Sequence, residues 1–121
     1  FVFSHGDVQV AVGQRAKDPG QDPFAEDHTG DLVWPTALAF CRYLCDHEPL
    51  LQQKRVLDIG AGTGLVGLVA SKLGAHVTLT DVPRVIPLLA RNAAVDVAAS
   101  GDLGGAEAPS SPSADLTDVK P

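Results

Sequence analysis

Two carboxylates, Asp58 and Asp81, and a glycine-rich turn, Gly60-Ala61-Gly62-Thr63-Gly64, are the residues of this 121-residue sequence whose types and spacing could do chemistry. Glycines between a strand and a helix let the chain turn sharply and let a ligand approach the main chain, and the helix N-terminus adds free N–H groups. Two cofactor classes use such a turn. The dinucleotide pattern G-x-G-x-x-G, counted from Gly60, puts its third glycine at position 65, which is Leu65. Counted from Gly62 the frame Gly62, Gly64, Gly67 fits, but two residues late relative to the strand end. A Walker loop fails because no Gly-Lys-Ser/Thr follows. Asp58, at the carboxyl end of the strand, would repel a pyrophosphate and attract a phosphate-free cation. S-adenosylmethionine, with an ammonium and a sulfonium, is such a ligand. Asp81, ending the next strand, is placed to accept hydrogen bonds from ribose hydroxyls, a placement shared by nucleotide folds generally.

These residues need a scaffold, and the hydrophobic pattern supplies one. Residues 54–59 read as a buried strand, Leu65 to Leu73 as a helix stopped by Gly74, and His76 to Thr80 as a second, β-branched strand. Strand, helix and strand in so short a span make a βαβ unit with parallel strands. Residues 1–12 alternate apolar and polar about His5-Gly6-Asp7, a β-hairpin pattern with Phe1 and Phe3, then Val8, Val10 and Val12, on its inner face. Residues 13–30 form a loop rich in Pro and Gly. A helix begins near Pro35 and buries Ala37, Phe40, Cys41, Leu44 and Cys45 as one stripe, and another starts between Pro83 and Asn92. Cys41 and Cys45 read as two buried thiols, since no further Cys or His pair stands at ligand spacing. His5, His28, His47 and His76 are scattered, so no metal is expected.

Composition narrows the class. Hydrophobic residues are 45% and charged residues 20%, the ordinary globular mix, in a length that suits one domain. No apolar run approaches the roughly 20 residues of a membrane-spanning helix. A net charge of −6 argues against sequence-blind binding to nucleic acid or anionic lipid. Free thiols suit a reducing compartment, the cytoplasm or the nucleus, and no signal segment opens the chain at Phe1. From Ala93 the sequence turns to Ala, Ser, Asp and Pro without an aromatic residue, so 101–121 is expected to be a disordered, low-complexity tail. Two parallel strands and a hairpin are too little for a covered parallel sheet, and residues 1–100 are expected to be an incomplete domain.

Val33-Trp34-Pro35-Thr36, then Arg55 to Leu68 around the glycine turn, then Leu79-Thr80-Asp81-Val82-Pro83 and Arg91-Asn92, closely resemble the methyltransferase-like, seven-β-strand protein-lysine methyltransferases. The resemblance covers about residues 1 to 92. It implies an α/β, Rossmann-like fold of which the N-terminal portion is present, with S-adenosyl-L-methionine as cofactor and a lysine ε-amine of a protein as acceptor. By the same resemblance Trp34 contacts the cofactor, Gly60, Ala61, Gly62 and Gly64 pack against its methionine part, and Asp81 holds the ribose. Asp58 stands where the family usually carries Glu, and keeps the charge. The family's protein substrates include chaperones and elongation factors. Its second cofactor-contacting Trp and acidic-aromatic motif have no counterpart here: no Trp follows Trp34, and Tyr43 is the only tyrosine. This chain by itself is therefore expected to show little or no turnover, and no residue is assigned as the group that receives the amine proton.

Two other readings stay open on the sequence. One is a nucleotide-cofactor oxidoreductase using Gly62, Gly64 and Gly67. The other is a non-catalytic module that pairs its exposed strand with another chain. Target protein, degree of methylation and oligomeric state are open.

Overall fold

The computed structural model describes residues 1–15 and 29–99. Strands β1 (Val2–His5) and β2 (Val8–Ala11) pair antiparallel, with Phe3 opposite Val10. Helix α1 (Pro35–Asp46) follows, then β3 (Arg55–Ile59), α2 (Leu65–Lys72), β4 (His76–Thr80) and α3 (Ile86–Ala99). Short 3-10 turns lie at Thr29–Asp31 and Glu48–Leu50. The strands β3 and β4 run parallel, Arg55 opposite His76 and Ile59 opposite Thr80, as a helical crossover requires.

Helix α2 is central. Its Leu65, Gly67, Leu68, Val69 and Ala70 are all buried. The hairpin and α1 pack on one side of it and the β3–β4 pair on the other, joining Phe3, Val10, Val12, Cys41 and Leu44 to the same core. The helix approaches the sheet so closely that a Cβ at Gly67 would collide with the Leu79 side chain and sit 3.1 Å from Val77 Cγ1. A glycine is what this contact accepts. Gly67→Val is expected to destabilise the chain by about 2–3 kcal/mol through overpacking, read as a shift in the urea midpoint.

Three expectations need correction. Phe1 keeps the Phe3 side of the hairpin but is 44% exposed rather than buried, because it lies at the open end of the hairpin, opposite Val12, whose N–H donates to the Phe1 carbonyl at 2.9 Å. Phe40 is 50% exposed rather than part of the buried stripe, since it falls on the shoulder of α1 beside a cleft. The strand β3 is not buried throughout: Val56 and Asp58 are half-buried, whereas Leu57 and Ile59 stand out on the other face. Period-2 alternation forces this when only one face of a sheet is covered. Helix α3 starts at Ile86, after a turn in which Val85 donates to the Val82 carbonyl, and it continues through the alanine-rich stretch to Ala99, where helix propensity is high. Most of the 13–30 loop and all of 101–121 lie outside the described residues.

The thiols sit where the periodicity puts them. Cys41 is fully buried and Cys45 half-buried, neither in a disulfide. Burial, with the nearby Cys45 and Asp58 charges, pushes the Cys41 thiol up to about 12, and burial also raises Cys45. Thiolate is the reactive form. Iodoacetamide at pH 8 is expected to leave Cys41 untouched until denaturant is added, as read by mass spectrometry.

Candidate cofactor cleft

The glycine turn is shaped by left-handed backbone. Gly60, Gly62 and Gly64 have φ of 72°, 57° and 84°, a region side-chain-bearing residues rarely adopt. Gly60 and Ala61 donate to the Thr80 carbonyl at 3.0 and 2.9 Å, which laces the turn to the end of β4, and Gly64 donates to the Ala61 carbonyl at 2.8 Å. At Gly64 a Cβ would also meet Leu89 Cδ1 at 2.6 Å. Gly60 differs: no atom lies within 4 Å of where its Cβ would be.

The turn floors a cleft of about 460 Å³. Asp58 and Gly60 to Thr63 line one side, and Thr36, Ala37 and Phe40 of α1 line the other. Trp34 stands at its edge, 43% exposed, with Nε1 donating to the Thr29 carbonyl at 2.9 Å. The residue before Pro35 is held extended (φ −86°, ψ 146°), the conformation proline imposes on its predecessor. That geometry swings Trp34 off the start of α1.

Asp58 is the unusual group. Its Oδ2 is shut off from solvent and has no hydrogen-bond partner. Burial raises its carboxyl above the usual range, the Asp81 charge adds to the rise, and the Gly67 amide at the start of α2 offsets part of it. A buried acceptor without a donor is costly, and such sites concentrate where a ligand supplies the missing partner. Both oxygens of Asp81 are already engaged: Oδ2 accepts from Gly62 N and Oδ1 from Val82 N, each at 2.7 Å.

Of the seven candidate residues, Trp34, Asp58, Gly60, Ala61 and Gly62 meet at the cleft. Gly64 and Asp81 do not line it. Gly64 is the N-terminal cap of α2, and Asp81 braces the turn by accepting from Gly62 N. The sequence reading passed over two contributors. Phe40 walls the cleft, and its helical position gave it to the core. Asn92, 2% exposed, accepts from Gly13 N at 2.8 Å and donates to the Gly13 and Thr63 carbonyls at 3.0 and 2.9 Å, pinning the hairpin exit and the glycine turn to α3. An asparagine, a poor helix former, in the middle of a leucine- and alanine-rich helical stretch was the signal available. Asn92→Ala is expected to lower stability by about 3 kcal/mol, because it leaves one buried and two part-buried backbone groups unpaired. Chemical denaturation followed by circular dichroism checks this.

A family model described as Lysine methyltransferase matches residues 22–103, two-thirds of the sequence and all of the cleft. The chain belongs to the lysine methyltransferase family. Among individual relatives it is 50% identical over 70 residues to "Protein-lysine methyltransferase METTL21E" of Bos taurus, covering 56% of this chain and 24% of that protein. It is 40% identical over 68 residues to "EEF1A lysine methyltransferase 3" of Xenopus tropicalis, covering 56% and 30%. It is also 48% identical over 56 residues to "Histone-arginine methyltransferase METTL23" of Rattus norvegicus, covering 46% and 25%. The chain thus spans about a quarter to a third of the length of these relatives.

Membership in the lysine methyltransferase family sets aside the oxidoreductase reading. The Gly62–Gly64–Gly67 frame has a packing explanation, since Gly67 serves the α2–sheet contact and does not line the cleft. The mixed α/β architecture, three helices with small sheets, agrees with part of a methyltransferase domain.

Proposed function

We propose that this chain is the cofactor-binding portion of a seven-strand, S-adenosyl-L-methionine-dependent enzyme that methylates lysine ε-amines of a protein, with residues 1–100 forming the N-terminal part of its domain. The observation that carries the proposal is the cleft in which a solvent-shielded Asp58 oxygen without a hydrogen-bond donor adjoins an open glycine turn. When bound, the cofactor would supply an electrophilic methyl group on a sulfonium. In this reading the Asp58 carboxylate holds the cationic methionine end, and Gly60, with open space where a Cβ would be, admits it against bare backbone. Trp34 covers the edge of the cleft. Asp81 keeps a lone pair on each oxygen for the ribose hydroxyls while its bonds to Gly62 and Val82 hold the turn. Proximity and alignment supply the rate in such a transfer, and the cleft's apolar wall of Ala37, Phe40 and Leu65 keeps water from the attacking neutral amine.

The exposed Leu57 and Ile59 accord with a sheet that continues beyond these residues, because parallel sheets are normally covered on both faces. A protein substrate of the chaperone or translation-factor class, in the cytoplasm or nucleus, completes the proposal, and the frog relative's printed name points to a translation factor.

Calorimetry tests the cofactor assignment. S-adenosylhomocysteine is expected to bind and NADH to give no heat; the reverse pattern would overturn it. Acceptor identity is read by amino-acid analysis of extract labelled with the full-length protein and radioactive cofactor. Methyl-lysine is expected, and methyl-arginine alone would move the chain toward the activity named for the rat relative.

A further inference from the structure

Phe40, Tyr43 and His47 recur three and four residues apart on α1 and its C-terminal boundary, so they share one strip of the helix surface. The strip is exposed: Phe40 is 50% and Tyr43 48% accessible, and His47 is also exposed. It is ordered as well. The Tyr43 and His47 rings stack with centroids 4.0 Å apart, and Phe40 and Tyr43 lie 6.2 Å apart with planes within 11°. His47 Nδ1–H donates to the Tyr43 carbonyl at 2.8 Å, which locks the far ring. Phe40 also walls the cleft, so the strip continues from the cleft toward the C-terminal end of α1.

We infer that this aromatic strip seats the segment of the protein substrate that flanks the target amine, and that the segment is extended and basic. The inference rests on the function proposed above. Side chains on one face of an extended chain recur every ~6.7 Å, close to the 6.2 Å between Phe40 and Tyr43, so two alternate residues of a strand can meet Phe40 and the stacked Tyr43–His47 pair. Pre-stacked rings lose little freedom on binding, and aromatic residues dominate the energetics of such contacts. Charge selects the sign. Glu48 and Asp46, the latter also engaged by His5 Nε2 at 2.9 Å, flank the far end of the strip, Asp58 lines the cleft at the near end, and the chain carries −6 overall. Arg42 is two residues from Phe40, about 200° around the helix, and so faces away. Lys and Arg side chains suit aromatic faces and can lay their stems along them. A second copy of this chain, equally acidic, is the poorer electrostatic match.

The test uses the 121-residue chain saturated with S-adenosylhomocysteine and two 11-residue peptides with a central lysine. One has arginine at alternate flanking positions, the other glutamate. Calorimetry is expected to show the arginine peptide binding and the glutamate peptide failing. Tyr43→Ser, at an exposed position outside the cleft, is expected to weaken peptide binding about tenfold while leaving S-adenosylhomocysteine affinity unchanged, and Tyr43→Phe to restore it. Equal binding of both peptides, indifference to Tyr43→Ser, or no peptide binding by a chain that does bind S-adenosylhomocysteine would each overturn the inference. So would a dimer, seen by sedimentation, that Tyr43→Ser dissolves. A chain that binds no S-adenosylhomocysteine would instead refute the proposed function on which this one stands.

Discussion

Asp58→Asn is expected to raise the melting temperature at neutral pH by a few degrees and to weaken S-adenosylhomocysteine binding about a hundredfold. The two effects have one origin. Burial raises the Asp58 carboxyl, so the folded chain binds that proton more tightly than the unfolded chain does. Where the folded state binds more protons, stability falls as pH rises. Below the unfolded value of 3.8 the group costs nothing extra. The penalty develops as pH climbs from there through the raised folded value. Asparagine keeps the shape and removes the charge, and with it the penalty. Ligand binding has the opposite sign, since a cation needs the ionised carboxylate. Affinity of the native chain is expected to fall as pH drops through the raised value, earlier than for an ordinary aspartate, whereas the residual affinity of Asp58→Asn stays flat over the same range. Thermal melts and calorimetry at several pH values read both. A variant that lost stability and kept its affinity would remove Asp58 from the site. Function held at the expense of stability is a common signature of binding residues.

Asp81→Ala is expected to be the more disruptive change, costing about 2–4 kcal/mol of stability and abolishing measurable cofactor binding. Each oxygen of Asp81 accepts a 2.7 Å hydrogen bond from a backbone amide, Gly62 on the turn and Val82 after β4. Bonds to a charged acceptor contribute more than neutral ones, and removing the acceptor strands both donors. The left-handed Gly62 then loses the contact that holds it in place beside the cleft. Asp81→Asn separates the two roles, because one amide oxygen can still brace Gly62 while the −1 charge disappears. It is expected to recover about half of the lost stability and, by removing a neighbouring charge, to lower the Asp58 carboxyl toward its ordinary value. Urea denaturation of the three proteins, with NMR titration of Asp58, checks each part.

Much of this architecture could be read from residue order. The βαβ unit over β3, α2 and β4 followed from a β-branched run, a glycine turn, one apolar helical face and Gly74, all of them local signals of 3.6 or 2-residue period. The start of α1 at Pro35 and the hairpin about Gly6 were legible for the same reason. Local signals say where an element is, but not how much of it another element covers. That is why Phe1, Phe40, Leu57 and Ile59 were expected inside and stand exposed: a residue's apolar character sets its preference for burial, while the neighbour that would cover it comes from elsewhere in the chain.

The types and spacing of the glycines and of Asp58 and Asp81 were enough by themselves to point to a ligand-binding turn and to favour a cation over a diphosphate as its expected ligand. Tertiary structure alone decided how the seven candidates divide, five lining the cleft and two not, with Gly64 capping a helix and Asp81 bracing Gly62. It alone also revealed Asn92 joining three segments, 79 positions along the chain from Gly13, and left Asp58 with a buried oxygen lacking a donor. The reason is physical. Conformational preference acts over a few neighbouring residues, whereas hydrogen-bond satisfaction and desolvation depend on every atom within a few ångströms, wherever in the chain it originates.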